Sequence, residues 1–317
     1  MRKTMLPKVR AARYAGWGAL ALLAACGAPK EKANSISISG AFALYPLTVK
    51  WAEEYKKTHP DVKIDVSAGG AGKGITDVLG GVTDIGLVSR SLSPAELQKG
   101  AVVIPVTRDA VVPTISAANP LLKEIEAKGV TRDGFYGVFI SGATKTWGQL
   151  GFSGQDPVHP YTRSDAAGAA ETWASYLGKK QDDLKGTAVF GDPGLAQAVQ
   201  KDPLGIGFNN IAFIYDPATK QPVAGVLPVP IDQNGNGKID PEEAVYGTLD
   251  QITAAIAAGK YPSPPARDLY FVTKGAPNAV AKDFIKFALT EGQKDVTASG
   301  YILLTQDKIQ EGLNKLQ

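Results

Sequence analysis

Four glycines within six residues, Gly69 to Gly74, constrain this chain more than any other stretch. The extended apolar run Val62 to Val66 feeds into them and a helical pattern leaves them. A strand must therefore become a helix across Ser67-Ala68-Gly69-Gly70-Ala71-Gly72-Lys73-Gly74-Ile75. Such a turn brings backbone N–H groups to one point beside the positive end of the helix, where an anion can be held. A flexible turn without a ligand is the plainer alternative. Repetition favours the first, because Ser39 to Pro46 and Arg163 to Thr172 have the same logic. Nucleotide loops are excluded. Separated by four residues from Gly72-Lys73 stands Ser67 rather than Gly, the residue after Lys73 is Gly74 rather than Ser or Thr, and no correctly spaced GxGxxG occurs here.

Arg2, Lys3, Lys8, Arg10 and Arg13 precede a short apolar run, Ala15 to Ala25, that is too short to span a bilayer and reads as an export signal over residues 1–25. It ends in Leu23-Ala24-Ala25-Cys26, which resembles the bacterial lipobox and implies cleavage before Cys26 and a lipid on its thiol. The alternative is an ordinary buried cysteine behind a membrane anchor. Cys26 is the only cysteine, so no disulfide can staple the monomer. Without residues 1–25 the chain loses five positive charges and no negative ones, and its formal +3 becomes −2. A nucleic-acid surface is thus unsupported. Residues 26–34 form a polar tether, and the rest is long enough for two lobes.

Ser35 to Ser39 alternates as a strand and runs into Gly40-Ala41-Phe42-Ala43-Leu44-Tyr45-Pro46, with helical spacing beyond. Asp84 to Val88 is a third strand, and Ser93-Pro94-Ala95-Glu96 is a capped helix start. Strand, turn and helix repeat three times, which predicts parallel α/β architecture. Val102 to Ile115 is too long for one ordinary strand and reads as a crossing to a second lobe, with the return at Tyr261 to Val272. These crossings give lobe one residues 35–107 plus 270–317 and lobe two residues 108–269.

In this order the motifs resemble the phosphate-binding subunit of Pst-type ABC importers, a two-lobed periplasmic binding protein family. The resemblance rests on Ser39 to Leu47, Gly69 to Ile75, Asp84 to Arg90, the turn at Trp147, Arg163 with Ala167-Gly168-Ala169, Gly205-Ile206-Gly207-Phe208, and Tyr261-Pro262 with Arg267 to Tyr270. It implies a type II periplasmic binding protein fold, with two parallel or mixed sheets flanked by helices and a two-strand hinge. It also implies a monomeric, lipid-anchored receptor facing the periplasm or cell exterior, which delivers phosphate or a related oxyanion to an ABC permease. The carried-over ligand positions are Ala41, Phe42, Ala43, Gly70, Ala71, Ser89, Arg90, Arg163, Ala167, Gly168 and Ala169. Family members typically carry hydroxyl side chains at several of these, where this chain has five alanines and Phe42. A different anion or small carboxylate, or a sensor or scaffold lipoprotein that does not transport, are the alternatives. Arg90 and Arg163 could instead be surface or inter-lobe ion-pair residues.

Asp232-Gln233-Asn234-Gly235-Asn236-Gly237-Lys238-Ile239-Asp240-Pro241-Glu242-Glu243 independently fits the EF-hand calcium loop. Asp232, Asn234, Asn236, the Lys238 carbonyl, Asp240 and Glu243 would supply oxygen to a structural Ca²⁺, with a helix expected only on the exit side; a polar Asn-Gly hairpin is the alternative. Enzyme chemistry has no foothold. His59 and His159 each precede a proline, no second cysteine is present, and Gly-x-Ser-x-Gly is absent, so neither an organic cofactor nor a catalytic residue is expected.

Overall fold

The computed structural model describes residues 34–317. The export signal, Cys26 and all but the last residue of the tether lie outside the described residues. Three strand–turn–helix units open the fold: β1 (Ser35–Gly40) with α1 (Tyr45–Thr58), β2 (Lys63–Ala68) with α2 (Ala71–Leu79), and β3 (Ile85–Val88) with the short α3 (Pro94–Gln98). β1 lies parallel between β2 and β3, with Ser35 opposite Lys63 and Ile38 opposite Ile85. Parallel neighbours need crossover connections, and α1 and α2 supply them. Pro46 sits in the first turn of α1, where a missing N–H costs nothing. Ser93 and Glu96 exchange side-chain and backbone hydrogen bonds at the start of α3.

β4 (Ala101–Ser116) follows, then α4 (Leu122–Lys128), β5 (Val130–Thr131), α5 (Arg132–Tyr136), β6 (His159–Arg163), α6 (Gly168–Tyr176), β7 (Thr187–Val189), α7 (Gly191–Lys201), β8 (Gly205–Asn210), β9 (Val226–Pro228), β10 (Ile231–Asp232) and α8 (Leu249–Ala257). β11 (Ala266–Lys274), α9 (Ala279–Leu289) and α10 (Gln306–Asn314) complete the chain. The run that looked too long for a strand is one strand of sixteen residues. It can be so long because its two halves serve different neighbours. Ala101 to Ala110 pair antiparallel with β11, whereas Val111 to Ser116 pair with β8 and β9. The two expected sheets are therefore joined into one hydrogen-bonded path, β2-β1-β3-β11-β4-β8-β6-β7, with β9 on β4. Register slips between Leu269 and Tyr270, which face Thr107 and Pro105. Pro105 has no N–H to donate, and a bulge accommodates it.

Two apolar cores flank this shared strand. One gathers Trp51, Tyr55, Phe271 and Phe284 from the first half of the sheet and the C-terminal helices. The other gathers Phe135, Phe139, Trp147, Trp173 and Phe208 between β4 and β11 in sequence. Among the described residues no helix is long and apolar enough to cross a membrane.

Trp173 is fully buried, edge-on to Phe135 at 5.0 Å between centroids and stacked on Phe208 at 5.9 Å. Trp173→Ala is expected to cost about 3–5 kcal/mol of unfolding free energy, read from the shift of the urea transition.

Candidate functional site

The turns singled out in the sequence converge. β1 ends at Gly40 with φ +140°, and a Cβ there would lie 2.3 Å from the Leu87 carbonyl oxygen, so only glycine fits. The Gly69 and Gly70 amides donate to the Gly40 carbonyl at 2.9 and 3.0 Å, which ties the turn after β2 to the turn after β1. Ala41, Ala43 and Ala71 are buried there, and Phe42 is half-buried. β3 leads into Ser89, also buried, whose hydroxyl makes no hydrogen bond among the described residues. From the other side β6 ends at Arg163, Ala167 caps α6, and Gly168 and Ala169 form its first turn.

The two halves touch directly at these turns. The Gly72 amide donates to the Ala166 carbonyl at 3.0 Å. A Cβ on Gly70 would stand 2.7 Å from Asp165 Oδ2, and one on Gly168 would stand 2.0 Å from Ser89 Oγ. Phe42 meets Phe190 edge-to-face at 5.9 Å. The cleft is closed.

Arg163 lies at its centre, with its side chain 1 % exposed. Its Nε and Nη2 donate to the two Asp165 oxygens at 2.9 and 2.6 Å, and Nη1 donates to Asp192 Oδ2 at 2.5 Å. Burial opposes the charge, but Asp192 and Asp165 outweigh it and raise the guanidinium pKa. A guanidinium has five N–H donors, so two remain for a ligand. The Phe42 ring centroid lies 5.5 Å from its central carbon, a cation–π distance. Arg163 is thus an ion-pair residue within its own lobe. Arg90 is also ion-paired, held by Glu96 at 2.8 and 3.0 Å and facing the groove mouth beside Ser91, Ser164 and Asp165. That hydrogen bonding holds the Glu96 carboxyl down at about 2.

Several residues missed by the sequence reading complete the site. Asp192, 2 % exposed, also accepts from the Asn210 side chain at 2.6 Å. Asn210 in turn accepts from Arg267 Nη2, and Arg267 donates to Asp109 at 2.9 Å, to Thr172 Oγ1 at 2.7 Å and to the Gly168 carbonyl at 2.5 Å. A buried polar chain therefore runs from Arg163 to the paired strands β4 and β11, where Arg267 faces Asp109. Burial pushes the Asp109 carboxyl up, against the pull of Arg267. Asp192 had a legible signal, because Val189-Phe190-Gly191-Asp192 is a fourth strand-to-helix turn. Arg267 stood in the motif that carries the resemblance, but its pairing with Asp109, 158 residues away, had no signal in the sequence.

The acidic loop follows β10. Asp232 and Glu243 are buried, whereas Asn234, Asn236 and Lys238 are exposed and Asp240 is partly exposed. Asp240 accepts from Lys238 at 2.7 Å and from the side chains of Asn234 and Asn236, and Lys238 first, then the amides, keep its carboxyl at about 2. Three carboxylate or imidazole side chains do not converge anywhere among the described residues. The expected exit helix is a single turn, with the Ala244 amide on the Asp240 carbonyl. The chain leaves the helical path there because Tyr246 is drawn into the core, its hydroxyl accepting the Ile231 amide at 3.1 Å and its carbonyl accepting the Tyr215 hydroxyl at 2.7 Å.

Comparison with known proteins places the chain in a family. A family model described as a PBP superfamily domain matches residues 27–291. The chain is 29 % identical over 296 residues to the phosphate-binding protein PstS of Bacillus subtilis, covering 91 % of this chain and 87 % of that one. It is 28 % identical over 311 residues to the Pseudomonas aeruginosa PstS, covering 89 % and 87 %. A solved Clostridium perfringens structure with bound phosphate superposes with a TM-score of 0.70 at 24 % identity, over 86 % of this chain and all of that chain.

Asp192→Ala removes one partner of a buried guanidinium and is expected to cost about 3–5 kcal/mol in urea unfolding. Gly168→Ala places a methyl group against Ser89 and is expected to keep the lobes apart. The variant should retain its circular dichroism while small-angle scattering records a larger radius of gyration than for the parent chain.

Proposed function

The chain belongs to the PBP superfamily, and on that premise we propose that it is the extracytoplasmic solute-binding lipoprotein of an ABC importer, capturing phosphate or a related oxyanion between its lobes. The observation that carries the reading is the buried Arg163, with two N–H donors to spare, at the meeting point of the turns after β1, β2, β3 and β6. The curated relatives named above are phosphate-binding proteins.

In this reading Arg163 supplies charge-assisted hydrogen bonds to the anion. The first turns of α2 and α6 supply backbone N–H groups beside positive helix ends, and Ser89 supplies a hydroxyl. Neutral alanines replace the remaining hydroxyl donors, so Arg163 and the backbone carry more of the ligand than side-chain hydroxyls do. Asp165 and Asp192 hold the guanidinium in place. Closure buries the ligand and brings both lobes into the relation that a membrane permease would recognise. Lipid attachment at Cys26 would keep the receptor beside that permease. No catalytic residue and no organic cofactor enter the proposal.

One observation favours a second reading, a larger anion or a small carboxylate: the Phe42 ring lies over Arg163 and gives the site an apolar wall. A thermal-shift series with phosphate, arsenate, sulfate, molybdate and small carboxylates separates the two. A ligand at about 100 times its Kd adds roughly 2.7 kcal/mol, enough to raise the midpoint by several degrees. Phosphate is expected to give the largest rise. A rise with a carboxylate alone would establish the second reading, and no rise with any anion would overturn both in favour of a sensor or scaffold.

A further inference from the structure

We infer that the loop Asp232 to Glu243 is a calcium site in the second lobe, independent of the anion cleft. The sequence pattern supplies the ligand types in the required order, with Gly237 at φ +79° where the loop turns sharply. The structure adds an observation that the pattern does not contain. Asp232 and Glu243 are 3 % and 5 % exposed, and no cationic side chain pairs with either among the described residues. Buried carboxylates are ordinarily paired or bound to metal.

Their hydrogen bonds leave acceptor capacity free. Asp232 accepts from the amides of Gly235, Asn236 and Gly237, and Glu243 accepts from those of Gln233 and Asp240. A carboxylate has about four lone-pair positions, so about one remains on Asp232 and about two on Glu243. Glu243 is therefore free to close a site with both oxygens. The Lys238 carbonyl accepts no hydrogen bond among the described residues. The side-chain oxygens of Asn234 and Asn236 each accept one amide, at 3.0 Å, and keep a second lone pair.

The donor set explains why three acidic side chains need not converge. Half of it is neutral oxygen, from two asparagines and one carbonyl. Asp240, whose exposed partner Lys238 is easily exchanged, would contribute through water. Six or seven oxygens in a flexible loop suit Ca²⁺ and not Mg²⁺, which demands a tight octahedron. Paired EF-hand loops support each other, and here the body of the lobe takes that part. The Ile239 amide donates to the Ala127 carbonyl at 2.8 Å, β10 pairs with β5, and a Cβ on Gly129 would strike Ile239 Cδ1 at 2.4 Å. The loop is seated against α4 and β5 and so bears on the stability of the second lobe.

The test uses the full chain in detergent, stripped with chelator and titrated with Ca²⁺ alone and with Mg²⁺ alone. With few charged ligands in an exposed loop, a Kd of about 10⁻⁵–10⁻³ M is expected, with one ion per chain by calorimetry. The melting temperature should rise by several degrees in calcium and stay unchanged in equimolar magnesium. Glu243→Gln and the partly exposed Asp240→Asn are the variants. Both should fold, by circular dichroism, and lose at least about tenfold in calcium affinity. No calcium-dependent heat or melting shift in the parent chain, or undiminished affinity in Glu243→Gln, would overturn the assignment. Because the readout is calcium and not anion binding, failure here leaves the cleft reading standing.

Discussion

A buried guanidinium held by two carboxylates organises the turns at which the two halves of this molecule meet. Removing Arg163, Asp165 and Asp192 from water costs several kcal/mol for each ion, and their mutual attraction must offset that cost. It does so only while the end of β6, the turn before α6 and the start of α7 stay in register. The triad therefore fixes the position of three chain segments at once, and it leaves two donors directed by geometry rather than by side-chain freedom. A site with few hydroxyls depends on such rigidity. Without flexible donors to adapt to the ligand, the donors that exist have to be in place beforehand.

The same triad is not isolated from the moving parts. Asp192 passes through Asn210 to Arg267, and Arg267 reaches both Asp109 and α6. Asp109 and Arg267 face each other on β4 and β11, the strands shared between the two cores. Any rotation of one core against the other must pass through these paired strands. Arg163, the proposed anion-facing residue, and the strands shared between the cores therefore belong to one hydrogen-bonded chain, which provides a physical route by which a bound anion and closure would bias each other.

Much of this is legible in the sequence. The three strand–turn–helix repeats from Ser35 to Gln98 are local, because glycine at the turns and apolar spacing in the helices determine them without distant help. The convergence of Ala41, Gly70 and Ser89 followed from parallel topology, which brings the C-terminal ends of β1, β2 and β3 to one edge; Gly168 reaches them from β6, which runs the opposite way along the joined path and faces that edge. The joining of two sheets into one did not follow. It depends on how Ala101 to Ser116 divides between β11 and β8, a non-local choice that no window of sequence contains. Nor could sequence show that Arg90 would turn to Glu96, six residues on, while Arg163 turned inward to Asp165, two residues on. Both arginines sit at strand ends beside acids. What separates them is Asp192, delivered from another turn to hold one of them in the interior.

The most direct test of the central claim is a calorimetric titration of the parent chain and of Arg163→Gln with orthophosphate, each checked for folding by circular dichroism. The account predicts one site per parent chain and binding weakened at least about tenfold in the variant, the loss expected for hydrogen bonds to a charged group. Equal phosphate affinity in a folded Arg163→Gln variant would contradict it.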